Sequence, residues 1–538
     1  MNWLSKLKTT TAAALAVSVL TVPAIGQEVR LIGTDSNINI TGTLLSARDG
    51  KYLVETEIGE FIIDQELVTC EGEGCPAGLD LAYDLEIAAP DVLAEVLVPI
   101  LADGYAASNL DAEAQLLDAN GEPVDTETVD VGDHAFGKEL EFAVQMTDFD
   151  GETAGTFGIH TGFGSRLYER MAAKEAGIVF TESPARKAHR AAVADSGGGN
   201  LRDFAQERVI AVDGFTMIVN PANNVPHLSI EQATQIFKGE ITNWSEVGGS
   251  NAPINVYTFN PGTEAFHMIE ELLFKKQEVN VTEDSSVVHS TRELTTAVLD
   301  DPAGFGIVSF SSKRDARAVP LRSECGIIQA PSAFNIKTEE YELQSRVIAY
   351  NRRDVQGLGR EFVDYLEDSD IDGLVSKAGL TSLTIVSDTQ QEAIERLTAE
   401  LEEGENEYEA ELAEALLKNM NTHERLSTTF RFAPGSDRLD NKARRDMARM
   451  LSYIAERKPS EIVVVGFTDN KGPFDPNLLI SRERAQSVLE KLQAAATDGQ
   501  LDGITLKAEG YGELEPVACN TNPKGRATNR RVEFWVKS

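Results

Sequence analysis

The sequence predicts a multidomain α/β and α+β protein, and three observations carry that reading. Its 538 residues are too many for one hydrophobic core. Strand-like and helix-like apolar periods alternate through the middle and end of the chain, whereas residues 27–80 read as short strands alone. Charge is also divided: residues 425–538 hold 19 Lys and Arg against 15 Asp and Glu, a net of +4, and the residues before them net -42 of the total of -38. An apolar share of 42% with 25% charged residues is that of folded domains. So acidic a body is a poor partner for nucleic acid.

From the N-terminus, residues 1–26 read as a secretory signal peptide. Lys6 and Lys8 precede the apolar run Ala12 to Val22, and Ala24-Ile25-Gly26 is a small-x-small cleavage site. The run is shorter than the roughly 20 residues a membrane span needs, and no later stretch is long and apolar enough, so the exported chain is expected to carry no transmembrane segment. Residues 27–80 then predict a small β domain, with strands near 29–32, 38–45, 51–56 and 59–63. Cys70 and Cys75 enclose Glu-Gly-Glu-Gly, a loop that an oxidising compartment would close as a disulfide. Cys325 and Cys519 have no partner nearby in the sequence, and their pairing stays open.

Residues 85–380 alternate strands and helices. Leu85 to Ile87 opens with a strand, and Asp91 is the expected N-cap of a helix with Val92, Val96 and Ile100 on its apolar face. Ser229 and Gln232 form a capping-box pattern before Ile230, Ala233, Ile236 and Phe237. Strands are expected at Phe215 to Val219, Ile254 to Thr258 and Gly304 to Phe310, a helix at Thr291 to Leu299, and a second helix after Asn260-Pro261-Gly262-Thr263. Ser196 to Asn200 reads as a flexible glycine connection.

The runs DGFTMIVNPANN, IFKGEITNW and NPGT in this region resemble the phosphate-binding periplasmic proteins of ABC transporters. The resemblance implies a two-lobed periplasmic-binding-protein-like domain with a cleft for phosphate or another small oxyanion. Its contact loops would fall on Asp91, Ser183, Arg186 and Thr263, with Asp91 accepting the proton of a monohydrogen anion. The first loop, Ala88 to Val92, carries no hydroxyl. A different small solute, or another envelope protein gripped by lobes that have lost their ligand, is the alternative occupant.

Residues 387–424 predict an acidic helical linker with apolar stripes at Ile394, Leu397, Leu401 and at Tyr408, Leu412, Leu416. Residues 425–538 give strand, helix, strand, helix, strand, strand, hence a sheet with helices on one side. The second helix is expected to start at a Ser481 cap, placing Arg484 in its first turn.

Between those elements stand Gly466-Phe-Thr-Asp469, Asn477-Leu-Leu-Ile-Ser481-Arg-Glu-Arg484, Gly510-Tyr-Gly-Glu513 and Gly525-Arg526-Ala-Thr-Asn529-Arg530-Arg531. This closely resembles the C-terminal peptidoglycan-associating domain of the OmpA family, an α/β sandwich. The resemblance implies that Asp469 takes the ammonium of a diaminopimelate stem and Arg484 its carboxylate. Asn477 would position the loop, and Arg526, Asn529 and Arg530 would line or brace the groove.

Seven His residues without a metal-binding or catalytic spacing, and no Gly-x-Ser-x-Gly elbow, point away from an enzyme. No metal or cofactor is implied. The expectation is a non-catalytic periplasmic protein of a Gram-negative envelope, held on peptidoglycan and peripheral to the outer membrane.

Overall fold

The protein is described from a computed structural model over residues 28–33, 39–48, 51–56, 59–64, 67–71, 82–119, 121–124, 141–260, 266–267, 269–270, 281–368, 370–403, 407–432 and 438–537. The expected signal peptide, Cys75 and Thr263 lie outside these residues. The chain divides into two compact units, Met1–Asp80 and Leu81–Ser538.

The first unit is an antiparallel sheet. Gly59–Asp64, Lys51–Thr56, Asn39–Arg48 and Glu28–Gly33 lie side by side in reverse chain order, and Val68–Glu71 pairs on the far edge of Glu28–Gly33. Alternation puts Val29, Leu31 and Val54 in one small core with Val68. Cys70 is disulfide-bonded.

The second unit contains an 11-stranded sheet. In spatial order its main path is Ser286–Val288, Asn255–Phe259, Gly304–Ser309, Glu207–Val219, Gln344–Asn351, Ile178–Thr181, Leu85–Ala89, Thr153–Thr161, Glu141–Asp148 and Ala112–Leu117. The long strand Glu207–Val219 serves two lobes. Residues 207–214 pair with Gln344–Asn351 and residues 215–219 with Gly304–Ser309. One core gathers Leu97, Leu101, Tyr105, Phe157 and Phe362, the other Ile236, Phe237, Trp244, Leu294 and Phe305. Helix Ile230–Phe237 starts at Ser229, whose hydroxyl and the Gln232 side chain exchange hydrogen bonds with each other's backbone N–H. The glycine connection at 196–200 is a fastened turn, because Gln206 bonds the Gly198 carbonyl at 2.7 Å and the Asn200 N–H at 2.9 Å.

The C-terminal sheet runs Ser387–Asp388, Glu424–Arg431, Arg531–Lys537, Glu461–Gly466, Thr505–Gly510. Its central run Ile462–Val465 is apolar at every position because both faces are covered. Ile462 and Val464 face helices Asn441–Arg457 and Phe474–Ala495. Val463 and Val465 face Leu397, Leu416 and Met420 of Gln391–Glu403 and Glu407–Met420. The helices expected to act as a linker therefore form the second layer of this domain, and the sheet has helices on two sides.

Domain and body are fastened together by charge. Arg425 lies between Glu340 and Glu533, with Nη1 3.1 Å from Glu340 and Nε 2.9 Å from Glu533. Arg346 binds Glu339 through two nitrogens at 2.6 and 2.8 Å and Asp440 through a third at 2.9 Å. Cys325 and Cys519 form a disulfide across the same junction. The two ion pairs run in opposite senses, a domain arginine on a body glutamate and a body arginine on a domain aspartate.

Candidate functional site

Two sites emerge, one in the C-terminal domain and one between the lobes. In the C-terminal domain, strand Glu461–Gly466 ends at Gly466 and carries Thr468 and Asp469 out over its edge, where the Thr468 N–H is held by the Gly512 carbonyl at 2.7 Å. Asp469 is buried; one oxygen accepts the Lys471 N–H at 3.1 Å and the other lies 2.5 Å from Nη1 of Arg530. Asn477 is buried and ties the loop together, donating to the Asp469 carbonyl at 3.2 Å and to Glu513 at 2.6 Å.

Arg484 is not in the first turn of its helix. The helix begins at Phe474, with Pro473 as its N-cap, and Ser481 is an interior position. The Ser481 hydroxyl donates to Leu478 O at 2.7 Å and accepts the Gly512 N–H at 2.9 Å, so it joins the helix to the glycine loop instead of starting a helix. Gly510 is required beside it, since a Cβ there would sit 2.3 Å from the Arg482 nitrogen. Arg484 thus reaches the site from mid-helix, about three turns from the helix N-terminus.

The Arg484 guanidinium lies 5.6 Å from the Phe432 ring, and its Nη1 is buried without a hydrogen-bond partner among the described residues. Burial and the neighbouring Arg530 cation lower its pKa, against the pull of Asp469. A cation with a dry, unmatched donor beside a carboxylate–guanidinium pair is set to accept an anion. Arg526 is pinned to its own loop through the carbonyls of Asn520 and Thr521, at 2.8 and 3.2 Å. Asn529 is fully buried, accepting from Val517 and Ala518 N–H groups and donating to Ala518 O and Asn520. Both fasten the 517–521 segment beside Asp469 and Arg530. Arg531 is also fully buried and pairs with Glu533 and Glu515 at 2.5 and 2.6 Å. Glu513 and Phe432 were not anticipated; Glu513 stands in the Gly-Tyr-Gly-Glu run and could have been read as a partner for Asn477.

Between the lobes lies a cleft of about 1150 Å³. Asp91 lines it, from the first turn of a helical run that continues through Leu93–Leu97, Val98–Tyr105 and Ala106–Leu110, and it does not cap that run. Ser183 and Arg186 do not line it. The turn after Ile178–Thr181 sends Glu182 into the cleft and swings Ser183 back, so that the Tyr168 hydroxyl bonds the Ser183 carbonyl at 2.6 Å. Arg186 is exposed and starts helix Lys187–Asp195 instead.

The residue that sequence reasoning missed is Asp213, where the shared strand passes from one lobe to the other. It is 3% exposed, lines the cleft, and accepts from the Ser311 hydroxyl at 2.9 Å and the Gly214 N–H at 2.8 Å. Burial pushes its pKa up to about 6 against those bonds, and burial together with Asp213 pushes Glu182 up to about 7. Its signal was a lone carboxylate heading the apolar run Gly214 to Val219. Ser309, Ser311 and Ser312 form a hydroxyl cluster beside it, and Arg292 and Arg314 add positive charge to the lining.

Among the described residues no helix is long and apolar enough to cross a membrane. Residues 167–369 match the PBP superfamily domain and residues 431–530 the OmpA family. The phosphate-binding protein PstS of Bacillus subtilis is 30% identical over 200 residues, covering 35% of this chain and 64% of that protein, slightly under two thirds of its length. The peptidoglycan-binding protein ArfA of Mycobacterium bovis is 36% identical over 77 residues, 14% of this chain and 22% of that protein. An ABC-type phosphate transport receptor structure from Vibrio cholerae aligns with a TM-score of 0.38 and 20% identity, covering 55% of this chain and 98% of the other. The chain thus carries, in order, a segment that matches the PBP superfamily domain and resembles PstS, and a C-terminal segment that matches the OmpA family.

Proposed function

We propose that this is a non-catalytic envelope protein, periplasmic and peripheral to the outer membrane, that holds peptidoglycan with its C-terminal groove and offers its interlobe cleft to phosphate or another small oxyanion. The observation that carries the wall reading is the buried, unpartnered Nη1 of Arg484 next to the Asp469–Arg530 pair. A diaminopimelate side chain ends in an ammonium and a carboxylate on the same carbon. Asp469 would take the ammonium, and Arg484 with Arg530 the carboxylate, making a network of alternating sign in which every buried donor is used. The peptidoglycan-binding relatives support this reading.

Sedimentation with purified sacculi tests it. The full chain is expected in the pellet, Asp469→Ala and Arg484→Ala in the supernatant with unchanged circular dichroism; retention of both variants on sacculi would refute the groove.

For the cleft, the phosphate-binding relatives and the Asp213–Ser311 hydroxyl cluster support an oxyanion that still carries a proton. Asp213 would accept that proton while serine hydroxyls and an arginine meet the charged oxygens. The facing carboxylates Asp213 and Glu182 favour a second reading, lobes that grip another envelope protein in place of an anion. Calorimetric titration with phosphate separates the two, since the second reading gives no heat.

A further inference from the structure

The helical run on the cleft wall is apolar on two sides. Leu93, Leu97 and Leu101 are buried in the core of the first lobe. Val92, Val96 and Ile100, the stripe read from sequence as the core face, line the cleft and are more exposed than Leu93 and Leu97, which also border it. Val92 is 52% exposed. The stripe continues into Pro99 and, across a backbone bond from Val124 N–H to Leu116 O at 2.8 Å, into those two side chains. A helix apolar all round is normally enclosed on all sides, and one that turns its second apolar face to a cavity leaves it for something else to cover. The π-helical turn Leu93–Leu97 lies in this segment, and such turns recur at binding sites.

The opposite wall is different in kind. Asp213, Ser309, Ser311 and Ser312 present acceptors and hydroxyls, with Arg292 and Arg314 in the same lining. Asp91, Asp103 and Lys377 are the charged groups on the apolar side, and Phe215 and Phe259 add rings on the polar side, but the segregation of hydroxyls from the aliphatic stripe holds. The cavity, at about 1150 Å³, also exceeds what a bare tetrahedral anion fills and lies just above the roughly 300–1,000 Å³ of sites that enclose organic molecules, so it has room for one.

We propose that the cleft takes an organic oxyanion, a phosphonate or phosphate monoester with an apolar substituent of about phenyl size, its acid group at Asp213 and Ser311 and its apolar group on the Val92–Val96–Ile100 stripe. This rests on the oxyanion reading of the cleft and narrows it. The acid group meets the polar wall as inorganic phosphate would, so the substituent adds contact without removing any. Covering half a ring on an aliphatic wall is worth about a tenfold gain in affinity.

The test is calorimetric titration of the full chain with inorganic phosphate and with phenylphosphonate under identical conditions, repeated with Val92→Ser and with Ile100→Ser. Phenylphosphonate is expected to bind at least tenfold more tightly than phosphate, and each variant to shrink that ratio while leaving phosphate affinity as it was. Val92 is exposed, so its replacement tests the contact without emptying the core. Equal affinity for the two probes, or a preference unchanged in both variants, overturns this inference and leaves the oxyanion reading standing. If neither probe binds, the oxyanion reading falls and this inference with it.

Discussion

The groove and the cleft are both lined with charge, but they are built on opposite principles. At the C-terminal site, opposite charges are already matched: Asp469 and Arg530 neutralise each other, and what is left over among the described residues is two buried arginine donors, Nη1 of Arg484 and Nε of Arg530. In the cleft, like charges share a space: burial disfavours the ionised form of both Asp213 and Glu182, and Asp213 adds to it for Glu182. The C-terminal site is thus suited to the zwitterionic ligand proposed for it, whereas the cleft is tied to protons through Asp213 and Glu182. Both are mounted on one unit by the Arg425–Glu340 and Arg346–Asp440 pairs, so neither swings on a free tether.

The largest expected effect breaks that mounting. Glu340→Gln leaves Arg425, almost fully buried, with Glu533 as its remaining close carboxylate, and removal of one partner of a buried ion pair costs about 3–5 kcal/mol. Scanning calorimetry should show a lower transition in which body and C-terminal domain lose stability together; a shift confined to one of two separate transitions would show that the sites are independent.

Next in size, Arg484→Ala removes charge-assisted hydrogen bonds of about 2–3 kcal/mol, or roughly 30- to 150-fold in affinity for peptidoglycan fragments. Cleft titrations on the same variant should be unaltered. A parallel loss at both sites would mean that the contrast between them is false.

The smallest effect sharpens the contrast through pH. The folded-state pKa values of Asp213 and Glu182, about 6 and 7, lie above their ordinary values of 3.8 and 4.5. The folded state thus binds these protons more tightly, and the stability they lend is complete below about pH 4 and is lost as pH rises through 6 to 7. The melting temperature of the ligand-free chain should fall by roughly 2–4 °C over that interval, the equivalent of about 1 kcal/mol for domains of this size. Asp213→Asn should flatten the fall. Glu339 has the opposite sign: burial raises its pKa, but Arg346, Lys442 and Arg431 overcome that and hold it at about 2, so its contribution disappears only as pH drops from about 4.5 toward 2.

Sequence made the C-terminal groove more legible than the cleft for physical reasons. Asp469, Asn477 and Arg484 stand close in the chain and meet through one strand, one loop and one helix, so short-range pattern nearly suffices. Even there, Ser481 followed by Glu483 imitated a helix start, because a serine that bonds a neighbouring glycine loop has the same local signature as one that caps. Asp213, Glu182 and Ser311 come from distant segments and meet only once the sheet has formed, and the apolar stripe at Val92 looked like core because periodicity does not say which of two apolar faces is covered. The acidic helices were legible as helices. Their seat on the sheet was not, since the apolar run Ile462–Val465 that demands a second layer says nothing about which helices supply it.

The central claim is that Asp469 and Arg484 together read the two charges of a diaminopimelate end. The most direct measurement is the affinity of the full chain for two soluble muropeptides identical except that one carries diaminopimelate and the other lysine, which keeps the ammonium and lacks the carboxylate. The diaminopimelate form should bind at least tenfold more tightly, and that margin should vanish in Arg484→Ala; equal binding of the two forms by the unaltered chain would contradict the assignment.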